Sequence, residues 1–457
     1  MGFNLKYNIE NVGNIDKATI TIKPLTIIAG ENSSGKTFVT KSLYTILDAI
    51  YQKHFFKQLV KHYQSVSGTY KLLTMQLQST VKIDLDFEKN FEIVNDRFIN
   101  LLINLSTSTF TEEENLLKIN TNFFEEFNEM IRTYLNIRLE TNKFKKYSIE
   151  IDKILLSLDE LMNTINNHTK VITNSISLQL ETGMKKNYQI TNLQSLINRA
   201  QKKDLKLDIE TIGEVTVNQK SIMEFDFDIN GMEKVQKVQN IVFFDSPVYI
   251  KIRKALEKIN NGLIDLTDGK YLKGYPKYLD KLYNFIDKEY IDIADFDEIS
   301  KDIQKIIAGK LDVTKSGDIN YIDNNGSTIP LSLTAMGISN IGLIDLLLRN
   351  NVINKGSFLI MDEPEVHLHP EWQVALANIL YKIAKNGANI IIATHSLDFL
   401  KAFEIILKNE EENAEDIIAI NKMPYDESFS DLSELEKVGI VLDDLSRPFY
   451  NLYMQDI

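Results

Sequence analysis

The chain has 457 residues, a formal net charge of −13, 44% hydrophobic and 25% charged residues, and no cysteine. These proportions are those of an ordinary globular protein with a sizeable core, so a disordered chain is not expected. Without cysteine, disulfides, cysteine-ligated zinc and thiol catalysis are all excluded. No run approaches about 18 apolar residues, and the first residues form neither a secretory signal nor a myristoylation motif, so we expect a cytoplasmic protein with no membrane partner.

The first fifty residues predict a hairpin, a strand and a helix. Residues 3–22 alternate between apolar and polar side chains around Gly13, which is typical of a half-buried β-hairpin. Residues 25–29 form a continuous apolar run, as in a strand buried on both faces. From Lys36 onward apolar residues recur at helical spacing. This order predicts that the strand leads into the helix through a loop over 30–35.

The next part of the chain changes character. Residues 53–204 contain few glycines and show helical patterns such as the one between Phe123 and Leu135, which predicts a large helical insertion. Strand-like alternation returns at 205–209, 215–217 and 223–229 and ends in the turn pair Asn230-Gly231. We therefore divide the chain into a first lobe at 1–52, the insertion at 53–204, a second part at 205–400 and a C-terminal extension at 401–457.

The second part reads as alternating strands and helices. We expect a strand at 241–244, a helical and aromatic region at 251–307, a strand at 319–322 and an apolar helix at 338–348. A strand at 358–361, a helix from Pro370 and a strand at 389–393 follow. Strand, helix and strand in that order indicate a parallel sheet with right-handed crossovers, and hence an α/β fold.

One loop of the chain has the pattern of a phosphate-binding loop. It matches GxxxxGK[ST] in full and lies between the apolar strand and the helix. Its residues are Gly30, Glu31, Asn32, Ser33, Ser34, Gly35, Lys36 and Thr37. Backbone N–H groups and the helix N-terminus would surround the phosphates of ATP, Lys36 would add a full positive charge, and Thr37 would offer its hydroxyl to Mg²⁺.

Two adjacent acids end the apolar strand at 358–361. Asp362 is placed to hold Mg²⁺ from the tip of that strand, and Glu363 is free to orient or deprotonate the attacking water. The two acids alone are equally typical of a helix N-terminus. Together with the phosphate loop they predict hydrolysis of ATP, provided that neighbouring strand tips bring Lys36 and the acidic pair to one nucleotide.

Three of the six histidines lie between 367 and 395. His367 and His369 are two residues apart, and a metal site would need further ligands; His369 precedes Pro370 and is expected to cap a helix. His395 ends the strand at 389–393 and is placed to reach a γ-phosphate, although a structural role in the core is the alternative.

The segment Met361–Pro370 resembles the extended Walker B motif and D-loop of ABC-type ATPases of the branch of the overcoming-lysogenisation-defect (OLD) nucleases. Ala393–Ser396 is similar to the His switch of that branch. The resemblance covers roughly residues 1–50 and 205–400. It implies an ABC-type P-loop NTPase head with a mostly parallel sheet flanked by helices, an antiparallel β lobe and a large helical insertion.

The resemblance also implies a head-to-tail homodimer in which the signature motif of one copy completes the nucleotide site of the other. Residues 331–337 correspond to that motif, with Ala335 at the usual serine position and Gly337 retained. Gly337 at a helix N-terminus would still present backbone N–H donors to a γ-phosphate. Asp245 stands where the family has the glutamine of its Q-loop.

The same resemblance separates this chain from nuclease members of the branch, which continue into a metal-dependent TOPRIM domain. Only roughly 60 residues follow His395, and Asp443-Asp444 alone does not form such a site. The chain therefore resembles the stand-alone ATPase subunits of the PARIS and Septu anti-phage systems. We expect a sensor or scaffold subunit, dimeric or larger, with a separate effector such as a TOPRIM or HNH nuclease.

Three other functions stay open. One is an SMC-like ATPase of DNA repair or chromosome organisation, whose coiled-coil arm would here reach about 90–140 Å and would lack a Cys-x-x-Cys zinc hook. The others are a transporter motor and a scaffold that binds ATP with little turnover. Binding of nucleic acid is not favoured by the net charge of −13, because an acidic surface repels it.

Overall fold

A computed structural model describes residues 2–78, 85–140, 145–201, 203–253, 275–287 and 296–455. The chain divides into two compact units. We call the first, Met1–Tyr51 with Leu180–Ile457, the head, and the second, Gln52–Gln179, the helical unit. Much of the predicted helical region at 251–307, including Tyr271, lies outside the described residues.

The described strands are β1 (Leu5–Val12), β2 (Ile15–Ile22), β3 (Leu25–Gly30), β4 (Leu205–Ile209), β5 (Gly213–Val217), β6 (Met223–Phe227), β7 (Ile241–Phe244), β8 (Gly309–Val313), β9 (Ile319–Asp323), β10 (Thr328–Pro330), β11 (Phe358–Asp362), β12 (Asn389–Thr394) and β13 (Ile418–Met423). The described helices are α1 (Lys36–Tyr51), α2 (His54–Gln78), α3 (Leu85–Thr107), α4 (Phe110–Ile119), α5 (Thr121–Leu139), α6 (Ser148–Asn166), α7 (His168–Asn187), α8 (Ile229–Gln236), α9 (Val248–Lys251), α10 (Tyr278–Ile286), α11 (Asp297–Ile306), α12 (Met336–Arg349), α13 (Pro370–Lys385), α14 (Leu397–Ile417) and α15 (Glu434–Gln455).

The centre of the head is a parallel sheet with the strand order β13-β3-β12-β11-β7. Its strands are buried along their whole length in β3, β7, β11 and β12, as the continuous apolar runs predict. The carboxyl ends of all five strands meet at one edge. The predicted parallel sheet is confirmed, and this edge brings the sequence motifs together.

A second, antiparallel sheet of the head has the order β2-β1-β4-β5-β6. β1 pairs with β4, with Tyr7 opposite Ile209, although the whole helical unit separates the two strands in the chain. The hairpin and the strand at 205–209 are thus confirmed as parts of one sheet. A third sheet, β10-β9-β8, is also antiparallel.

The helical unit is built from α2 to α6 and the first part of α7. Aromatic rings pack together in its core: the Tyr63 and Phe98 rings stack with centroids 4.3 Å apart, and the Phe127 ring lies 5.1 Å from Phe98. Phe123 and Leu135, which mark the helical pattern in the sequence, are both buried. The helical character predicted for this region is confirmed in its described residues.

Three predicted boundaries differ from the structure. The pair Asn230-Gly231 does not form a turn but begins α8, because the Asp228 side chain caps that helix at the Gly231 N–H. The helical unit ends at Gln179 rather than at 204, since the last part of α7 packs with the head. The C-terminal extension also belongs to the head: β13 adds an edge strand beside β3.

Candidate functional site

The phosphate loop joins β3 to α1 at the carboxyl edge of the central sheet. Ser33 and Gly35 adopt positive φ angles of 63° and 100°, which turn the backbone back on itself. A Cβ on Gly35 would lie 2.6 Å from Cγ1 of Ile15, so no other residue fits there. Gly30 is constrained in the same way, because its Cβ would lie 1.9 Å from the Met423 carbonyl of β13.

Lys36 is the first residue of α1 and is 5% exposed. Its ammonium group donates hydrogen bonds to the carbonyls of Gly30 at 2.8 Å and Glu31 at 2.7 Å, which hold it against the loop. Burial lowers the pKa of Lys36, and the carboxylates of Glu363 and Asp362 act in the opposite direction. The lysine of the N-terminal loop therefore lies within electrostatic reach of the distal acidic pair.

The strand order corrects one detail of the sequence prediction. β3 and β11 are not neighbours, because β12 lies between them and pairs with both. The two motifs still share an edge, since parallel strands in register end together. Thr394 at the end of β12 lies opposite Ala29 of β3, while Ala393 lies opposite Asp362 of β11.

Asp362 ends β11 and accepts a hydrogen bond from the Thr37 side chain. Burial raises the pKa of Asp362 to about 6; the Thr37 bond lowers it, and the nearby charges of Glu363 and Asp245 raise it further. Its Oδ1 atom is buried and has no hydrogen-bond partner in the described part of the chain. A buried carboxylate oxygen of this kind, next to the Thr37 hydroxyl, fits the ligand set of a hard divalent cation such as Mg²⁺.

Glu363 and His395 form a hydrogen-bonded pair, with 3.0 Å between Glu363 Oε1 and His395 Nδ1. Both side chains are accessible, at 38% and 39% exposure. Glu363 has a φ of 51°, which is uncommon for a residue other than glycine, and its N–H donates to the Ala393 carbonyl. Glu363 also lines the cavity over the phosphate loop.

Two further acids, Asp245 and Glu365, lie at the same edge. The sequence marks Asp245 only through the resemblance, as the residue at the place of the Q-loop, and does not mark Glu365. Asp245 follows β7 one residue after Phe244, which lies opposite Met361, so Asp245 and Asp362 extend adjacent strands in register. Tyr278 donates a hydrogen bond to Asp245 Oδ2, while Asp245 Oδ1 is buried without a partner in the described chain. Asp245 and Asp362 each follow an apolar strand directly, but the sequence does not show that these two strands are neighbours.

Glu365 is the second of these acids and is 4% exposed. The Thr394 hydroxyl donates to its Oε1, and burial raises its pKa. Glu365 therefore joins the loop after β11 to the tip of β12. No sequence signal distinguishes it from an exposed loop glutamate.

The N-terminus of α12 carries the residues that resemble the signature motif. Ala335 is the N-cap and makes no side-chain cap bond, so the first N–H groups of the helix have no partner from that side chain. A Cβ on Gly337 would lie 3.2 Å from the His367 carbonyl and 3.2 Å from Leu368 Cδ2. A side chain at this position would therefore require His367 or Leu368 to shift by a few tenths of an ångström.

His369 caps α13, which begins at Pro370: its Nδ1 accepts from the Glu371 N–H at 3.4 Å. The predicted cap is confirmed. His367 has a φ of 68° and is exposed in the preceding turn.

A cavity of about 790 Å³ opens over the phosphate loop. It is lined by the loop residues Asn32 to Thr37, by the β1–β2 turn, by residues 195–200 and by Glu363. Ser34 at its wall has a buried Oγ without a partner in the described chain. Its volume lies within the usual range for small-molecule sites.

Sheet order, phosphate loop and acidic strand tips define an ABC-type P-loop ATPase head. The model of the AAA ATPase domain family matches residues 6–400, and the chain belongs to this family.

Among curated proteins, the chain is similar to the DNA double-strand break repair Rad50 ATPase of Saccharolobus solfataricus, with 27% identity over 123 residues. That match covers 26% of this chain and only 14% of the relative.

Among solved structures, the chain is similar to an SMC head bound to the C-winged helix domain of ScpA, with a TM-score of 0.39. It is also similar to an Smc head with an extended coiled coil from Pyrococcus furiosus, at 0.38, and to the SMC head of Thermotoga maritima, at 0.34. Each is 10% identical and covers 88% of this chain, with 92% of its own length matched. At these scores the fold assignment rests on the chain's own sheets and on the family match.

None of the helices in the described ranges is both long and apolar enough to cross a membrane.

Proposed function

We propose that this chain binds ATP with Mg²⁺ and hydrolyses it. The observation that carries the proposal is the convergence of Lys36, Asp362 and Glu363 at one sheet edge, where the charges of the two acids act on the lysine. The orphaned Oδ1 of Asp362 and Oγ of Ser34 fit a ligand that brings both a cation and phosphate oxygens.

In this proposal each residue has a distinct task. Thr37 and Asp362 would hold Mg²⁺, which supplies a positive charge to the β- and γ-phosphates when bound. Lys36 donates to the phosphate oxygens, together with backbone N–H groups from Gly30 to Gly35. Glu363 accepts a proton from the attacking water, and His395 orients the Glu363 carboxylate through their hydrogen bond.

The test is release of inorganic phosphate by the purified protein with ATP and Mg²⁺, compared with Lys36→Ala. We expect turnover in the wild type and loss of both ATP binding and turnover in the variant. Binding is followed with the fluorescent analogue mant-ATP. If Lys36→Ala binds and hydrolyses like the wild type, the phosphate loop is not the ATP site and the proposal fails.

We also propose that two copies pair head to tail, with the N-terminus of α12 of one copy at the nucleotide of the other. Exposed residues flank this helix start, and Leu333 is 78% exposed. Mass measurement by light scattering should show an ATP-dependent dimer in Glu363→Gln. Gly337→Glu would also disturb the packing of Gly337 against His367 and Leu368, so loss of the dimer in that variant would not identify the interface. Leu333→Asp, at an exposed side chain, is the better probe.

The biological context that we propose is a cytoplasmic sensor or scaffold ATPase of a bacterial anti-phage complex with a separate nuclease effector. Its support is the likeness of Met361–Pro370 and Ala393–Ser396 to OLD-type motifs. Purification of the native complex followed by mass spectrometry tests it. A co-purifying TOPRIM or HNH nuclease supports the proposal, and a membrane permease in its place contradicts it.

A DNA-repair or chromosome ATPase is the second candidate, favoured by the short match to the Rad50 relative. The helical unit argues against a long arm. Its longest described helix, α2, has 25 residues and spans only about 37 Å. The candidate predicts that double-stranded DNA stimulates ATP turnover, and equal rates with and without DNA would contradict it.

A further inference from the structure

The segment 193–200, which we call the returning segment, connects α7 to β4 and lines the cavity over the phosphate loop. It begins with a 3-10 turn at Leu193–Leu196. The motifs in the sequence do not include it. It nevertheless contributes a cationic side chain to the same cavity as Lys36.

The returning segment is fixed against the β1–β2 turn. The Gly13 N–H donates to the Leu196 carbonyl at 2.7 Å, and the Asn198 N–H donates to the Asn11 carbonyl at 2.9 Å. The Asn198 side chain also donates to Asp16 Oδ1 at 2.7 Å. These three bonds hold the backbone just before position 199, and the Ala200 N–H on its other side donates to Asn198 Oδ1 at 2.9 Å. The backbone that carries Arg199 therefore has a defined place at the cavity wall.

The β1–β2 turn is in turn joined to the phosphate loop, because the Asn14 side-chain amide donates to the Ser33 carbonyl. The helix that follows the loop, α1, is bonded to the last residue of α7 and to the residue after it. The Tyr188 hydroxyl donates to the Phe38 carbonyl of α1 at 2.8 Å, and the Asn187 amide donates to Thr45 Oγ1 at 2.9 Å. The returning segment is therefore bonded to the turn that contacts the phosphate loop, and the residues just before it in the chain are bonded to α1.

Arg199 is exposed and lines the phosphate-loop cavity. It also lines an adjoining cavity of about 450 Å³ that is walled by amide side chains such as Asn192 and Gln219. Within the described ranges Arg199 makes no hydrogen bond and no ion pair, so all five of its N–H donors are available. Asp16, the acid on the same wall, is already engaged by Asn198.

The chemical group that best matches an unpaired arginine beside a phosphate loop is a phosphate. The guanidinium group is planar and permanently charged, and its N–H fork matches the oxygens of a phosphate group. The nucleobase offers no comparable negative charge. A fixed backbone lowers the entropic cost of such a contact, since only the side chain has to be ordered on binding.

We propose that Arg199 is a second cationic contact for the phosphates of the bound nucleotide, supplied by the segment that returns from the helical unit. This inference rests on the proposed function of the phosphate loop as an ATP site. It adds a binding residue that lies outside the phosphate loop and the acidic strand tips.

The test is a titration of mant-ATP, in the presence of Mg²⁺, into the wild type, Arg199→Ala and Arg199→Lys. We expect about tenfold weaker binding in Arg199→Ala, the size of one charge-assisted hydrogen bond at an accessible site, and recovery of part of that loss in Arg199→Lys. The affinity of Arg199→Ala should also depend less on salt, because one ionic contact is gone.

Lys203→Ala is the matched control. Lys203 is an exposed cation four residues further on that does not line the cavity, and its substitution should leave the affinity unchanged. Equal melting temperatures of the wild type and the variants show that the variants fold. If the melting temperature of Arg199→Ala differs from that of the wild type, Arg199→Gln is used in its place. Affinity of Arg199→Ala within about twofold of the wild type would overturn the inference.

Lys36→Ala separates this outcome from failure of the ATP site itself. If Lys36→Ala loses mant-ATP binding while Arg199→Ala keeps it, the ATP site stands and the role of Arg199 is rejected. If neither variant changes the affinity, the proposed function is wrong as well.

Discussion

The head and the helical unit bury polar groups in different ways. At the carboxyl edge of the head sheet, Ser34, Asp245, Asp362 and Glu365 each have a buried oxygen without a partner in the described chain. In the helical unit, Glu113 is also buried: its Oε2 lies 3.1 Å from His168 Nε2, while its Oε1 has no partner in the described chain. The core beside it consists of aromatic and aliphatic side chains. Unpaired buried polar atoms cost free energy of folding. Other such atoms are scattered singly through the described chain, whereas four oxygens at one sheet edge indicate a place shaped for a ligand.

The largest expected difference between the head and the helical unit is in ATP turnover, and it is expected for a substitution of Glu363 in the head. Glu363→Gln removes the proton acceptor but keeps the shape of the side chain, so ATP turnover should fall by about 10²-fold to 10⁴-fold while mant-ATP binding persists. Phosphate release and mant-ATP titration measure the two quantities. Glu371→Gln, an exposed acid at the start of α13, should change neither. Equal turnover in wild type and Glu363→Gln would show that Glu363 is not the base.

A core substitution in the helical unit should show the opposite pattern. Phe127 is 1% exposed, and Phe127→Ala leaves a cavity beside Phe98, which should cost about 3–5 kcal/mol of the free energy of unfolding of that unit. Denaturant unfolding followed by circular dichroism measures the loss, and mant-ATP affinity should stay at the wild-type value. Ile137→Ala, at a side chain 59% exposed, should cost less than about 0.5 kcal/mol. Loss of ATP binding in Phe127→Ala alone would show that the two regions are not independent.

His395 should have an intermediate effect on turnover. His395→Ala removes the hydrogen bond to Glu363 and should lower turnover by about tenfold, because the carboxylate loses its fixed orientation. His395→Gln restores an amide donor and should recover part of the rate. If both variants turn over ATP like the wild type, His395 has only a structural role.

The pH dependence of magnesium binding provides the smallest and most specific effect. The pKa of Asp362 is raised to about 6, and a protonated carboxyl is a poor ligand, so Mg²⁺ affinity should fall as pH drops through 6, by up to about tenfold per pH unit below it. Mn²⁺ titration followed by electron paramagnetic resonance between pH 7.5 and 5 measures this without turnover. Asp245→Asn removes a neighbouring negative charge that raises this pKa, so the midpoint should move to lower pH. A flat profile would exclude Asp362 as a ligand.

Regular periodicity explains which parts of the fold were predictable from the sequence. The continuous apolar runs of β3, β7, β11 and β12 and the loop at Gly30–Thr37 are local patterns, and the structure has the strands where these runs lie. The position of β12 between β3 and β11 is a property of the sheet order, which no local pattern specifies.

The unpredicted features all depend on contacts between distant residues. Asp245 lies next to Asp362 only through the register of β7 with β11, and β13 joins the sheet from a segment that reads as an extension. Arg199 reaches the cavity because the returning segment docks on the β1–β2 turn, about 185 residues away in the sequence. Neither composition nor spacing encodes such pairs without the fold.

The most direct test of the shared site is a crystal structure of Glu363→Gln with ATP and Mg²⁺. We expect one nucleotide per chain, with Lys36 on its phosphates and one magnesium ion bound by both Thr37 and Asp362. A nucleotide bound away from the phosphate loop, or a magnesium ion that Asp362 does not contact, would contradict the account.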